Sequence, residues 1–329
     1  MTCLETLRRI VDRVLAVRES IPLVLLIASS LGFYLVSPAF LSPMNLSNMF
    51  AFIPELGIIA LGMTMLLTAG VFDLSVGAVF AFAPLLTYTI VNQVGIPLEL
   101  AMLVGFAAAM LIGLINGLLV TKVGISSFLV TLGMMLVVRG LGLYMSAGYP
   151  QKTLGGDPII QTLLVGTVTI GPVTIYAGLL WFIGLAVFLH FLLRRARFGN
   201  WVLATGGNGK SARARGINTD AVTIRLFVFM SFLASFAGLI SATRVGSAYP
   251  IAGDGYELET IAMAVVGGTS LFGGRGTIIG TVIGVILIRS IRNGIILIGV
   301  PGLAYNMFVG IIILVAMSVQ ALLERRNAS

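Results

Sequence analysis

The sequence predicts an all-α, polytopic integral membrane protein with about ten transmembrane helices, some of them short or broken. Of its 329 residues, 58% are hydrophobic and only 10% are charged, and the mean hydropathy is +1.08. Soluble domains contain roughly 45–50% apolar and about 25% charged residues, so a water-soluble fold could not hide this apolar surface. In hydrocarbon only helices and closed barrels satisfy every backbone polar group. The apolar stretches lack the period-two alternation of barrel strands, so we expect helices.

Ten apolar stretches lie between charged and chain-breaking residues, and a helix needs about 20 largely apolar residues to cross the hydrocarbon core. The candidate spans lie near 22–40, 49–69, 72–92, 97–120, 125–145, 174–193, 223–243, 259–273, 276–298 and 303–322. The third opens with Asp73, and the eighth is too short for a full crossing at about 1.5 Å per residue. We therefore expect one or both of these spans to be broken or tilted.

The positive charges are unevenly distributed along a chain that has 20 Lys and Arg residues and a formal charge of +8. Most of them precede the first span, follow the last or lie in the loop 194–221, whereas Lys152 and Arg244 fall on the opposite side. Cytoplasmic loops carry such an excess, so this topology places both termini and the loop 194–221 in the cytoplasm. Residues 1–20 combine arginines with apolar residues at helical spacing, which indicates a cytoplasmic amphipathic segment rather than a signal peptide. One transmembrane domain then covers 21–323, and a cytoplasmic tail covers 324–329.

The sequence lacks the residue patterns of an enzyme or a metalloprotein. Its one cysteine, Cys3, and one histidine, His190, provide neither a disulfide framework nor a metal-ligand set. No phosphate-binding GxxxxGK[ST] motif occurs. We therefore expect no catalytic site, no metal site and no bound cofactor, with energy for transport supplied by another chain or by an ion gradient. The positive charge follows the membrane topology, so we also expect no nucleic-acid partner.

Polar residues inside the predicted spans are candidate pathway or helix-break positions. Asp73 and Ser75 either face a solute pathway or mark the start of a helix, where a carboxylate accepts backbone N–H groups. We favour the helix start, and both roles are compatible if the helix is broken and its end faces the pathway. Asn116 and Asn293, each followed by glycine late in a span, either hydrogen-bond a hydroxylated solute or join helices.

Glu55 is the other acid that the span assignment buries. Its basic counterparts within the spans are Arg139, Arg289 and Arg292. Pairing among these residues lowers the desolvation cost of each charge. We favour such a structural role over a direct contact with a solute.

Glycines recur at four-residue spacing in the string GGRGTIIGTVIG. Small residues at this spacing, here Gly276, Gly280 and Gly284, let two helices approach closely. Helix packing is therefore the favoured interpretation of this stretch.

The loop 198–222 alternates an apolar stretch, the flexible stretch 206–209 and a basic stretch that ends at Gly216. Such an alternation is typical of a short helix that docks on a cytoplasmic partner. A basic loop held to anionic lipid is the alternative.

Several strings along nearly the whole chain carry a family resemblance. They are DLSVG (73–77), Asn-Gly (116–117), TLGMMLVVRG (131–140), the GGN…GI loop (206–217), GYELETIAMAVVGGTSLFGGRGT (255–277) and Asn-Gly (293–294). On these strings the chain resembles the permease subunits of the ribose-type family of bacterial ABC importers for monosaccharides.

The resemblance implies a multi-pass subunit of the bacterial cytoplasmic membrane that pairs with an identical or homologous permease. It also implies a cytoplasmic ATPase pair and a periplasmic or lipid-anchored sugar-binding protein. The coupling segment on the ATPase would contain Gly206, Gly207, Asn208, Ala212, Gly216 and Ile217. The glycines expected to pack helices are Gly267, Gly268, Gly273, Gly274, Gly276 and Gly280.

The function indicated is thus ATP-driven import of a monosaccharide or a similar small polyol. Two other functions remain open from the sequence. An ion-coupled secondary carrier would use Asp73 or Glu55 as its coupling carboxylate. A branched-chain amino acid ABC permease would differ in its solute.

Overall fold

The structure is a computed structural model that describes residues 19–152 and 158–301, with the separate positions 307, 310–311 and 314. Residues 1–18, most of the tenth predicted span and the tail 324–329 lie outside the described residues. The N-terminal amphipathic segment, the last span and the exact domain limits therefore stay predictions.

The described chain is almost entirely helical, which confirms the predicted all-α class. In chain order the helices are α1 (Ser20–Val36), α2 (Pro43–Thr68), α3 (Val76–Val94), α4 (Leu98–Leu118), α5 (Ser127–Ser146), α6 (Pro158–Val165), α7 (Ala177–Arg195), α8 (Arg197–Ala214), α9 (Thr219–Val245), α10 (Tyr256–Val266) and α11 (Ile278–Leu297). A 3₁₀ turn (Pro38–Leu41) precedes α2, and a π-helical turn (Leu119–Val123) continues α4. Two antiparallel pairs join β1 (Gln151–Lys152) to β4 (Ser247–Ala248) and β2 (Thr167–Ile170) to β3 (Val173–Tyr176).

Seven of the described helices are long and apolar enough to cross a membrane. They are α2, α3, α4 with its π turn, α5, α7, α9 and α11, and each coincides with a predicted span. α1 has 17 residues and occupies the first predicted span. α10 has 11 residues at the eighth, which confirms that this crossing is short. α3 begins at Val76, so Asp73 precedes the helix that it was expected to open.

The seven spans form a buried group and a peripheral group. The most apolar window of α2 is 89% buried, and α3, α9 and α11 are also mostly buried. The windows of α4, α5 and α7 are only 22–28% buried, and apolar side chains such as Leu103 and Val137 are exposed on them. Lipid tails are as apolar as these side chains. The protein is therefore a multi-pass membrane protein whose peripheral helices face lipid.

Different structures mark the two ends of the bundle. At one end, which we call the α8 end, α8 contacts the neighbouring parts of α2, α7 and α9. At the other end, which we call the hairpin end, the N–H of Thr174 donates to Ser47 Oγ at 2.9 Å and holds the β2–β3 hairpin to the start of α2. The β1–β4 pair lies beside the last turns of α3, where Asn92 Nδ2 donates to the carbonyl oxygen of Lys152 at 3.1 Å.

The chain doubles back into the bundle after α9. We call residues 246–255 the re-entrant segment. The segment starts at the hairpin end, where Ser247 pairs with β1. The segment then reaches Gly253, which packs against Gly77 and Phe80 of α3. Gly77 is the second residue of α3, about 26 Å from the other end of that helix at 1.5 Å per residue. α10 therefore starts deep inside the bundle, which explains its short length.

Candidate functional site

α8, the segment predicted to couple to a partner, is ordered as two helical pieces. The break lies at Asn208, whose φ of −157° and ψ of 93° are not helical. The Asn208 side chain restarts the helix, since its Oδ1 accepts from the backbone N–H of Ser211 at 3.0 Å. The stretch 206–209, expected to be flexible, therefore forms a defined bend.

The C-terminal end of α8 is closed by two backbone hydrogen bonds. The N–H of Gly216 donates to the carbonyl oxygen of Arg213 at 2.9 Å, and that of Ile217 donates to Ala212 at 3.1 Å. Gly216 has a φ of +82°, the left-handed conformation that this helix ending requires and that glycine adopts without a steric penalty. Ala212 is buried and Ile217 packs against the core, so one side of this helical piece is anchored.

The other side of the second piece is an exposed basic surface with Lys210, Arg213 and Arg215. Arg213 pairs with Asp220 at 2.7 Å, and Asp220 also binds Lys122 at 3.0 Å. Exposed ion pairs contribute only about 0–1 kcal/mol. The Arg213 pair therefore orients the end of α8 against α9, the Lys122 pair joins the π-helical turn to α9, and both add little to stability.

Beside the first piece of α8, three segments meet backbone to backbone. They are the end of α2, α8 itself and the loop 267–277, and we call their contact the glycine junction (Thr68, Gly70, Gly206, Gly273, Gly274 and Gly276). The N–H of Gly274 donates to the carbonyl oxygen of Thr68 at 2.9 Å. A Cβ on Gly206 would overlap that oxygen and would lie 2.7 Å from the nitrogen of Gly274. A side chain at Gly206 would therefore push the three backbones apart.

The glycine junction unites two groups of residues that the sequence treats separately. Gly206 was predicted for partner coupling, whereas Gly273, Gly274 and Gly276 were predicted for helix packing. A Cβ on Gly273 would lie 2.6 Å from the carbonyl oxygen of Gly206, and one on Gly276 would overlap the side chain of Thr68. The close approach that these glycines permit is thus between α2, α8 and a loop.

Other predicted packing glycines lie where α10 meets α11. A Cβ on Gly267 would lie 2.5 Å from the carbonyl carbon of Gly280, and one on Gly284 would overlap Met263. Gly268 follows α10, and its N–H donates to the carbonyl oxygen of Val265 at 2.8 Å. The short helix α10 is therefore held tightly against α11.

Asp73 organises the turn between α2 and α3. Its Oδ1 accepts from the backbone N–H of Ser75 at 2.7 Å and from Ser75 Oγ at 2.6 Å, as Asp does in turns that precede helices. Asn116 of α4 donates from Nδ2 to Ser75 Oγ at 3.0 Å. All three side chains are buried, and neither Asp73 Oδ2 nor Asn116 Oδ1 has a hydrogen-bond partner in the described part of the chain. The cluster joins the start of α3 to α4.

The Asp73 cluster predicts different outcomes for two substitutions. Asp73→Asn keeps an oxygen acceptor for both Ser75 donors, so we expect little loss of stability. Asp73→Leu leaves two buried donors unsatisfied and should cost about 1–3 kcal/mol each. Thermal unfolding of the purified protein in detergent measures the difference. If the two variants unfold at the same lowered temperature, the negative charge itself is required.

Glu55 of α2 holds two arginines. Its carboxylate pairs with Arg244 at the end of α9 and lies 3.7 Å from the guanidinium of Arg289 in α11. Arg289 also donates to the carbonyl oxygen of Phe52 at 2.7 Å, and the guanidinium of Arg244 lies 4.1 Å from the centre of the Phe52 ring. Arg289 is one of the basic partners that the sequence analysis named for Glu55. Arg244, predicted to lie on the side opposite the cytoplasmic loops, belongs to the last turn of α9, and it was not among the predicted partners of Glu55.

Asn293 lies one helical turn after Arg289. Its Nδ2 is buried without a hydrogen-bond partner among the described residues, as are Nε of Arg244 and Nε of Arg289. The cluster around Glu55 thus has more donors than acceptors. The next residue, Gly294, packs against the ring of Phe33, so this part of α11 also contacts α1.

Arg139 of α5 does not contact Glu55; it holds the re-entrant segment. Its Nη1 donates to the carbonyl oxygens of Pro250 at 3.0 Å and Ala252 at 2.8 Å, and its Nη2 lies 3.9 Å from Asp254 Oδ1. Non-helical backbone inside a membrane must find such donors within the protein. Arg139 therefore stabilises the broken crossing.

Sequence reasoning missed the re-entrant segment, its acid Asp254 and the acid Glu257 at the start of α10. The available signal was the string GSAYPIAGDG (246–255), in which three glycines and a proline interrupt two apolar stretches. The predicted spans 223–243 and 259–273 left this string between them, and the sequence analysis assigned it no place inside the membrane. A short eighth span was the correct indication that the crossing is broken.

The clusters around Asp73, Glu55 and Arg139 hold helices and non-helical backbone in place. Among the described residues they contain no metal site. In residues 19–152 and 158–301, no group of three or more His, Cys, Asp or Glu side chains could hold a metal ion. The arrangement as a whole is a helical bundle with a basic helix fixed to one end and a broken crossing at its centre.

Residues 45–317 match the family described as the permease component of the branched-chain amino acid transport system. No solved structure matches the chain.

Curated relatives match nearly the whole chain. A ribose import permease protein of Bacillus subtilis is 38% identical over 90% of this chain and 89% of its own. A xylose/arabinose import permease protein of Sulfolobus acidocaldarius is 35% identical over 88% and 80%, respectively. A galactose/methyl galactoside import permease protein of Escherichia coli is 33% identical over 88% and 90%.

Proposed function

The chain belongs to the permease family that includes the ribose, xylose/arabinose and galactose import permeases, and from this we propose that it is the membrane subunit of an ATP-driven importer for a monosaccharide or similar small polyol. It is a transport subunit and not a catalytic enzyme. In our proposal it binds no cofactor, and a separate chain hydrolyses ATP.

The glycine junction carries the coupling part of this proposal. α8 presents an exposed basic surface, while its first piece contacts α2 and the loop before α11 without intervening side chains. A force applied to α8 therefore reaches α2 directly and α11 through the loop that precedes it. We propose that α8 docks on a cytoplasmic ATPase, which fits the positive-inside rule for its arginines.

The proposed assembly contains two permease subunits, identical or homologous, in a bacterial cytoplasmic membrane with both termini inside. A periplasmic or lipid-anchored binding protein delivers the solute at the hairpin end. Closure of the ATPase pair moves α8, and the spans attached at the glycine junction tilt and open the pathway to the other side. No bond in the solute changes, and weak contacts along the pathway permit its release.

The family description and the relatives suggest different solutes. The description names branched-chain amino acids, whereas relatives at 33–38% identity over most of the chain are sugar permeases. We favour a sugar because these matches extend over nearly the full length of both chains. Competition of uptake by leucine and not by ribose, xylose or galactose would reverse this choice.

Reconstitution tests the proposed function. The permease is co-purified with its ATPase and binding protein, placed in vesicles and supplied with radiolabelled ribose, xylose or galactose. We expect accumulation that requires ATP and the binding protein. Accumulation by this chain alone, driven by a proton or sodium gradient and unaffected by ATP, would contradict it.

A further inference from the structure

The re-entrant segment carries a carboxylate to the middle of the membrane. α5 has 20 residues and so spans about 30 Å, the thickness of the hydrocarbon core. Arg139 lies just past its midpoint, and its guanidinium binds the carbonyl oxygens of Pro250 and Ala252. Asp254 Oδ1 lies 3.9 Å from the same guanidinium. Asp254 is therefore near the membrane centre.

At this depth the side chain of Asp254 is nevertheless 89% exposed on the chain. A charged side chain at the centre of a lipid-facing helix costs at least about 2.5–3.5 kcal/mol, and such groups almost always face the bundle interior or a water-filled cavity. The surface around Asp254 is therefore not a lipid-facing surface. The Asp254 carboxylate lies 3.9 Å from the Arg139 guanidinium, which is too far for a hydrogen bond. Its oxygens are therefore accessible to another donor.

A second acceptor lies one helical turn away. Glu257, in the first turn of α10, is 8% exposed, and its Oε2 is buried with no hydrogen-bond partner among the described residues. The Glu257 carboxylate lies against Gly77 of α3 and so supports the turn from below, whereas Asp254, which when ionised only accepts hydrogen bonds, offers its oxygens to a ligand rich in donors. Hydroxyl groups of a sugar or polyol are donors of this kind.

The backbone fixes where these acids stand. Gly253 and Gly255 have φ values of +69° and +81°, which let the chain turn sharply from the re-entrant segment into α10. Gly253 lies directly on Gly77, and the rings of Phe80 and Tyr256 pack 5.1 Å apart. The turn that presents Asp254 is thus held on one side by α3 and on the other by Arg139.

We propose that Asp254, supported by Glu257, forms a solute-binding site in a water-filled pathway at the membrane centre, where it accepts hydrogen bonds from the hydroxyl groups of the solute. Arg139 is a positioning residue that holds the segment. The solute class rests on the proposed function, whereas the water-filled surface follows from depth and exposure alone.

Thiol accessibility tests the water-filled surface without transport. Cys3→Ser removes the chain's one cysteine, and Asp254→Cys or Val137→Cys is then introduced. Val137 lies two residues before Arg139 in α5, at nearly the same depth, and is 63% exposed. Residues two apart in a helix point to opposite sides, so Val137 faces away from Arg139. A thiol reacts as the thiolate, which forms in water and not in lipid. We expect a membrane-impermeant methanethiosulfonate to label Asp254→Cys at least about tenfold faster than Val137→Cys; equal rates would overturn the proposal.

Transport by the reconstituted complex tests the solute contact. A hydrogen bond to a charged group corresponds to about a tenfold or larger effect, so Asp254→Asn should lower uptake of subsaturating sugar by about that factor. Asp254→Glu, which keeps the charge, should retain more uptake than Asp254→Asn. Rapid labelling with unchanged uptake by Asp254→Asn would overturn the binding role. Absence of ATP-dependent uptake by the wild-type complex would instead contradict the proposed function and leave the labelling result standing.

Discussion

Replacing Gly206 by alanine is expected to abolish ATP-driven transport, with uptake lowered by more than about tenfold. The added methyl group would overlap the carbonyl oxygen of Thr68 and approach the nitrogen of Gly274 to 2.7 Å. Both neighbours are backbone atoms, so no side-chain rotation can relieve the overlap. Overpacking of this kind typically costs about 1–3 kcal/mol, so we expect the variant to fold. The added methyl group nevertheless pushes α8 away from α2, and the contact that would transmit movement is lost. Uptake and solute-stimulated ATP hydrolysis in vesicles measure the effect.

Gly209 provides the matched control for Gly206. It lies in the same helix three residues later, and no described atom stands within 4 Å of the position that its Cβ would take. Alanine is favoured over glycine in helices by about 1 kcal/mol, so Gly209→Ala should insert and transport as the wild type does. Both variants must elute as monodisperse protein for the comparison to count. Normal uptake by Gly206→Ala would show that the glycine junction does not transmit movement.

The glycine junction also gives a physical reason why the proposed coupling requires an ordered α8. Thr68, whose carbonyl oxygen binds Gly274, continues the contact into the bundle through Thr64, which hydrogen-bonds Thr281 of α11 at 2.6 Å. A displacement of α8 therefore reaches α11 by two routes, through the loop 267–277 and through α2. A freely flexible stretch at 206–209 would absorb such a displacement instead.

Hydropathy alone located the described spans because each is a long apolar stretch, and the cost of unsatisfied backbone groups in lipid leaves few alternatives to a helix. It also indicated the broken eighth crossing from its length. The partners of Glu55 were harder to infer, since they depend on how far each helix extends. Arg244 was not considered as a partner of Glu55 because the predicted seventh span ended at 243, but α9 continues to Val245 and its last turn brings Arg244 to Glu55.

The re-entrant segment shows a second limit of sequence reasoning. A short string rich in glycine and proline is typical of a surface turn. Nothing local distinguishes it from a turn that enters the bundle, because the donors for its carbonyl groups come from Arg139 in a distant helix. Asp254 and Glu257 were therefore not recognised as membrane-embedded acids, although Glu257 lies within a string that carried the family resemblance and Asp254 directly precedes that string.

The Glu55 cluster predicts the largest effect on stability. One carboxylate holds two guanidinium groups, and Glu55 and Arg289 have side chains only 4% and 7% exposed. Removing one partner of a buried pair typically costs about 3–5 kcal/mol because a charge remains uncompensated. Glu55→Gln leaves two such charges facing one another, whereas Arg244→Gln leaves Glu55 with Arg289. We expect Glu55→Gln to lower the temperature of thermal unfolding in detergent clearly more than Arg244→Gln does.

A double substitution separates this charge argument from a simple loss of contacts. If uncompensated charge is the cause, Arg244→Gln added to Glu55→Gln should recover part of the lost stability, because one of the two unpaired cations is removed. Glu99→Gln, in the first turn of α4, serves as the control and should change the unfolding temperature little. An additive loss in the double variant would show that Glu55 acts through packing and hydrogen bonds, and that the two arginines do not depend on its charge.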